Sequence, residues 1–96
     1  MIITRLKARL TPEQATRLKA SYALTKGPFP PGFIESFLVE GQDDPSDWRI
    51  LTVWESQEAV DAMRASGQTP RGVQIFREAG VEPELKILNV ANHLPQ

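Results

Sequence analysis

The sequence predicts one α+β domain over residues 1–96, a four-stranded antiparallel sheet with helices on one side. Three observations lead there. Ninety-six residues provide for a single hydrophobic core and no second one. Apolar and polar side chains alternate along the first ten residues and again from Phe33 to Glu40, the period of a strand. Between the strand-like stretches stand helix-start signals, a small polar residue followed by proline or glutamine at the right offsets.

In the first stretch Ile2, Thr4, Leu6, Ala8 and Leu10 share one face, and Ile3, Arg5, Lys7 and Arg9 share the other. Thr11 then offers a cap, Pro12 suits the first helical position, and Gln14 stands where a capping box places Glu or Gln. Ala15, Leu18 and Tyr22 follow on one stripe of a helix expected to end near Lys26-Gly27. The prolines of Pro28-Phe29-Pro30-Pro31-Gly32 exclude helix and impose a stiff loop.

The second strand runs from Phe33 to Glu40, with Phe33, Glu35, Phe37 and Val39 on one face and Ile34, Ser36, Leu38 and Glu40 on the other. A polar turn from Gly41 to Asp47 leads into a third strand, Trp48 to Trp54, rich in β-formers, and the two pair most simply as a hairpin. Ser56 caps a second helix carrying Ala59, Val60 and Met63 and stopped by Gly67. Thr69-Pro70 opens a third, with Val73 and Phe76, that ends at Gly80. Pro83 precedes the last strand, Leu85 to Ala91. The order βαββααβ is a split βαβ repeated once with its second helix broken, the ferredoxin-like plan.

Composition narrows the function. Eleven basic against twelve acidic residues give a net charge of −1, without the basic excess that phosphate neutralisation requires, so nucleic acid is not an expected partner. Cys is absent and His93 is the single histidine, which excludes disulfides, Cys nucleophiles and a self-contained thiolate or His-rich metal site. No apolar run has the length to cross a bilayer, and MIITRLKARL is too short and too alternating for a signal peptide; the expected location is cytoplasmic. Both faces of the sheet carry large apolar groups. Leu51 and Val53 point away from Trp48, Ile50 and Trp54, and Leu85 and Ile87 away from Leu88 and Val90. Covering roughly eight such side chains gains on the order of ten kcal/mol before association costs. A second copy of the same sheet is the simplest cover, so a homodimer is expected.

Pro31-Gly32-Phe33 leading into a strand, followed by Ile50-Leu51-Thr52-Val53-Trp54-Glu55-Ser56-Gln57-Glu58-Ala59, is a recognisable combination. On these residues the chain resembles the antibiotic biosynthesis monooxygenase (ABM) family of the dimeric α+β barrel superfamily, with the element order matching over essentially the whole chain. The resemblance implies two copies packing their sheets into a barrel, each with a ligand pocket between sheet and helices. It also implies a cofactor-independent monooxygenase acting on a small aromatic or quinol-like molecule, whose electron-rich ring loses a proton and itself reduces dioxygen. Neither cofactor nor metal is expected on that reading. Rival readings are a non-catalytic small-molecule-binding or dimerisation protein of the same fold, and a haem-binding or haem-degrading relative. Haem-degrading members carry Asn on the first strand, Trp in the second helix and His further along. Those positions fall here on Leu6, Met63 and about Val73, so all three groups are missing.

Within the implied pocket, Trp54 and Tyr22 would hold the ring, although a buried Trp at a strand end also serves packing and the Tyr22 hydroxyl can simply reach solvent at the rim. Thr4, on the face of Leu6 and Ala8, is the nearest polar group to the missing Asn, and Asn89 offers a second hydrogen bond. Met63 faces inward from the second helix, as a core residue or a pocket wall. His93 is the natural proton acceptor for a phenol, placed in a tail where chains fray. The stripe Arg5, Lys7 and Arg9 needs counter-charges, for which Glu35 or carboxylates of a second subunit are candidates; an anion or phenolate site at the dimer seam is the alternative. Asp43, Asp44 and Asp47 lack the Gly and Glu of a calcium loop and read as a solvated turn.

Overall fold

The computed structural model describes residues 1–96. Its elements are β1 (Ile2–Arg9), α1 (Pro12–Ala23), β2 (Phe33–Glu40), β3 (Asp47–Trp54), α2 (Gln57–Ala65), α3 (Arg71–Glu78) and β4 (Glu84–Asn89). The strands form one antiparallel sheet in the order β2-β3-β1-β4, the ferredoxin-like arrangement expected from the element order. No helix is long and apolar enough to cross a membrane.

Local chemistry sets the helix ends. Thr11 Oγ1 accepts the Gln14 N–H at 3.2 Å while Gln14 Oε1 accepts the Thr11 N–H at 3.0 Å, a reciprocal capping box. Ser56 Oγ accepts the Ala59 N–H at 3.2 Å and starts α2. α3 has no side-chain cap, and Pro70 precedes it with its φ already held at −55°. α1 ends at Ala23, earlier than the sequence pattern suggested. The Thr25 N–H turns back to the Tyr22 carbonyl and the Thr25 hydroxyl donates to the Ser21 carbonyl, which consumes the acceptors a further turn would need.

A bulge in β2 changes which side chains share a face. Phe33 and Glu35 oppose consecutive β3 residues, Trp54 and Val53, with Ile34 as the extra residue. Phe33 therefore joins Ser36 and Leu38 on the helix side of the sheet instead of Phe37 and Val39, as strict alternation required. Gly32 leads into this kink at φ +86°, and its Cα faces Ala59 so closely that any side chain would collide with that methyl. The Glu55 N–H closes the corner on the Gly32 carbonyl at 2.8 Å.

On the helix side the core divides. The larger cluster, including Leu6, Leu18, Trp48, Ile50, Ile75 and Phe76, lies under α1 and α3. The smaller one, Ile2, Trp54 and Val60, lies under α2. α3 comes so near β1 that a Cβ on Gly72 would stand 2.7 Å from Leu6 Cδ1.

The other sheet face has no helix. Phe37 and Leu88 stand about half exposed on it, with Ile3, Val39, Leu51 and Val53 partly covered by their neighbours. Its cations are paired differently from the expectation. Arg5 bonds Glu84 at 2.6 Å and Arg9 bonds Asp44 at 2.6 Å, whereas Glu35 shares its cross-strand row with Val53 and Ile3, not with Arg5. The aspartate-rich turn is an ordered hydrogen-bonded corner. Asp44 accepts from the Ser46 hydroxyl, Arg9 and the Ser46 N–H, which hold its carboxyl down at about 2 from the ordinary 3.8. Because the folded value lies below the unfolded one, the Asp44 contribution is fully present above pH 3.8 and disappears as pH falls through about 2. An NMR titration of the Asp44 carboxyl is expected to show its midpoint near 2, moving up toward 3.8 in Ser46→Ala.

Candidate functional site

The gap between the two core clusters is a half-enclosed cavity of about 1290 Å³. The helix-side face of the sheet makes its floor; α2, the start of α3 and residues 28–32 make its walls. The strand registers arrange the floor in rows. Phe33, Trp54 and Ile2 form one row, Ser36, Thr52, Thr4 and Ile87 the next, and Leu38, Ile50, Leu6 and Leu85 a third. A hydroxyl-bearing row thus crosses three strands between two apolar ones.

An aromatic series borders that row. Phe29 stacks on Phe33 with ring centroids 4.4 Å apart, and Phe33 meets the Trp54 ring edge-on at 5.9 Å. All three face the cavity, as does Tyr22 from α1. The proline-rich loop brings Phe29 there, and the β2 bulge brings Phe33.

Two hydrogen bonds tie aromatic groups to hydroxyls on the floor. Trp54 Nε1 donates to Thr4 Oγ1 at 3.0 Å, and Tyr22 Oη donates to Ser36 Oγ at 3.0 Å. Thr4 is the one polar residue in the buried set, 8% exposed, and Trp54 is 5% exposed. A buried indole N–H requires an acceptor, so the hydroxyl of Thr4 serves where a third methyl-bearing residue would continue the apolar face.

Of the residues singled out from the sequence, Trp54, Tyr22, Thr4 and Met63 line this cavity. Asn89 and His93 are not among its lining residues. Asn89 is exposed at the end of β4 opposite Ile2, and His93 is exposed in the segment beyond it, which leaves the sheet after the Val90 N–H has bonded the Met1 carbonyl. Sequence reasoning did not mark Phe29, Phe33, Ser36 or Thr52. The parity of Thr52 with Trp54 was visible in the chain, but its alignment with Thr4 and Ser36 depends on strand register. Glu55, Glu58, Arg64 and Arg71 are the charged lining residues, all exposed at the mouth. No cluster of three or more His, Cys, Asp or Glu stands close enough to hold a metal ion. Leu6, Met63 and Val73 all face the cavity.

The family model for antibiotic biosynthesis monooxygenases matches residues 1–74. The chain belongs to this family of small α+β proteins. No curated protein matches its sequence. Several solved structures share the fold. A Deinococcus radiodurans protein assigned to the antibiotic biosynthesis monooxygenases superposes with a TM-score of 0.73 at 14% identity, covering 100% of this chain and 98% of that one. A mutant of SnoaB, a cofactor-independent oxygenase from Streptomyces nogalater, gives 0.63 at 16% identity over 99% and 97%. A mutant of MhuD with two manganese protoporphyrin IX molecules per active site gives 0.76 at 15% identity over the full length of both chains.

The Trp54–Thr4 bond makes a direct prediction. Thr4→Val keeps the shape and leaves a buried N–H unpaired, and is expected to cost about 1–3 kcal/mol. Thr4→Ser retains the acceptor and is expected to cost less than about 1 kcal/mol. Urea denaturation of the two variants measures the difference.

Proposed function

We propose that the chain is a homodimeric, cofactor-independent oxygenase whose cavity takes a small aromatic or quinol-like molecule. The observation that carries this reading is the cavity itself, with Phe29, Phe33, Trp54 and Tyr22 bordering a floor of few polar groups. Membership of the family supports it. In the reaction the bound ring loses a proton and the resulting anion reduces dioxygen. One oxygen atom enters the ring carbon as a carbonyl, the other leaves as water, and the substrate supplies all four electrons. The protein holds the ring, offers hydrogen bonds to its anion and limits water. His93 has no part in this scheme because of its position; of the lining groups, Glu55 and Glu58 are the carboxylates available to receive the proton. The donor set does not suit haem iron, since the wall carries no imidazole and apolar Leu6 and Val73 replace the polar groups of haem-degrading relatives.

The helix-free sheet face supports the dimer. It leaves Phe37 and Leu88 about half exposed, and it holds Arg5 Nε buried without a partner. A second copy covers the former, and an acceptor from that copy satisfies the latter. Native mass spectrometry is expected to show twice the 10.7 kDa chain mass; a monomer at micromolar concentration overturns this part of the proposal.

The absence of an imidazole from the cavity favours one second reading, a non-catalytic binder of the same small molecules. Oxygen uptake with anthrone separates the two. The oxygenase consumes one dioxygen per anthrone above the protein-free rate, insensitive to chelator, and Trp54→Ala lowers that rate about tenfold or more. Anthrone that binds and is recovered unchanged in air leaves only the binder.

A further inference from the structure

We propose that the hydroxyl row Ser36–Thr52–Thr4 determines the specificity of the cavity, binding a ring ligand through acceptor oxygens on its edges. The inference rests on the aromatic reading of the cavity and adds what its polar floor selects. Three features support it. The three hydroxyls lie in one register across β2, β3 and β1, since Thr52 faces Thr4 on one side and Ser36 on the other, and all three line the cavity. The rows before and after are apolar on these strands, apart from the indole N–H that is already spent on Thr4. Finally, the two outer hydroxyls are primed as donors. Thr4 accepts from Trp54 Nε1 and Ser36 accepts from Tyr22 Oη, and neither hydroxyl hydrogen is used within the protein. A hydroxyl that accepts one hydrogen bond donates the next one more strongly. Thr52, between them, makes no side-chain hydrogen bond at all, so its hydroxyl is also available.

The dimensions indicate the ligand class. Adjacent strands are about 4.8 Å apart, so the neighbouring hydroxyls of Thr52 and Ser36 are separated by about that distance. A para-dione spans roughly 5 Å between its oxygens, so a ring lying over the row sets one oxygen about 2.8 Å from each of these two hydroxyls. The row therefore suits an aromatic dione, or the oxyanion that precedes it, and offers nothing to an unsubstituted hydrocarbon of the same outline. Trp54 and Tyr22 act in this scheme as positioning residues, through Thr4 and Ser36.

The test uses 1,4-naphthoquinone and naphthalene as paired probes, titrated into the full chain by calorimetry. The absence of cysteine removes thiol addition to the quinone as a complication. The wild-type chain is expected to bind naphthoquinone about tenfold or more tightly than naphthalene. Thr52→Val, which disturbs no hydrogen bond of the protein, and Ser36→Ala are each expected to weaken naphthoquinone about fivefold while leaving naphthalene unchanged. Thr4→Ser is expected to retain the preference. The infrared carbonyl stretch of bound naphthoquinone is expected to lie below its value in hexane and to recover part of that shift in Thr52→Val. Equal affinity for the two probes, or a preference untouched by Thr52→Val and Ser36→Ala, overturns the row and leaves the aromatic cavity standing. Binding of neither probe overturns the aromatic reading, and the row with it.

Discussion

β1 is hydrogen-bonded along both edges, to β3 and to β4, and its register determines where the other side chains of the sheet stand. The pleat sends Ile2, Thr4 and Leu6 toward the helices and Ile3, Arg5 and Lys7 away from them. A slip of one residue would place the cations under α3 and the core residues in water. The positions of the rows on the cavity floor, and of the charged pairs on the opposite face, follow from this pairing. The charges on the outer face are consistent with it, since in this register Arg5 reaches Glu84 and Arg9 reaches Asp44.

The interior is arranged around a space instead of a single continuous core. One apolar cluster holds α1 and α3 to the sheet, another holds α2, and the cavity lies between them. A domain of this size has little stability to spare, and an open interior forfeits contacts that a filled one would gain. Local devices offset part of that loss, among them the capping box at Thr11 and the close approach of α3 over Gly72. The aromatic rings and the floor hydroxyls of the cavity sit on strands for the most part, so the sheet holds them in place without help from a ligand. Of the rings, only Phe29 comes from a loop, and it is stacked on Phe33.

Family and fold constrain the chemistry without choosing it. SnoaB and MhuD share this architecture at low identity, and one is a cofactor-independent oxygenase while the other holds porphyrins. In this chain the cavity is lined by apolar side chains at Leu6, Met63 and Val73, with hydroxyls where the strands pair at Thr4, Thr52 and Ser36. It is on that combination that the proposed preference for a neutral or weakly anionic ring rests.

Much of the fold is legible along the chain because its determinants are local. Alternation marks β1, the Thr11, Pro12 and Gln14 spacing marks α1, and the residues from Ile50 to Ala59 carry the family resemblance. Trp54, Tyr22, Thr4 and Met63 were identifiable for the same reason, since residue type and the period of each element direct them inward. The rest depended on contacts between residues far apart in the chain. The bulge after Phe33 reverses the side of the sheet on which that ring lies, and a simple period of two cannot register an inserted residue. The separation of His93 from the cavity follows from where β4 stops. The row of Thr4, Thr52 and Ser36 exists only after three strands have paired. Hydrogen-bond register acts between strands, so it becomes a property of the molecule only in the tertiary structure.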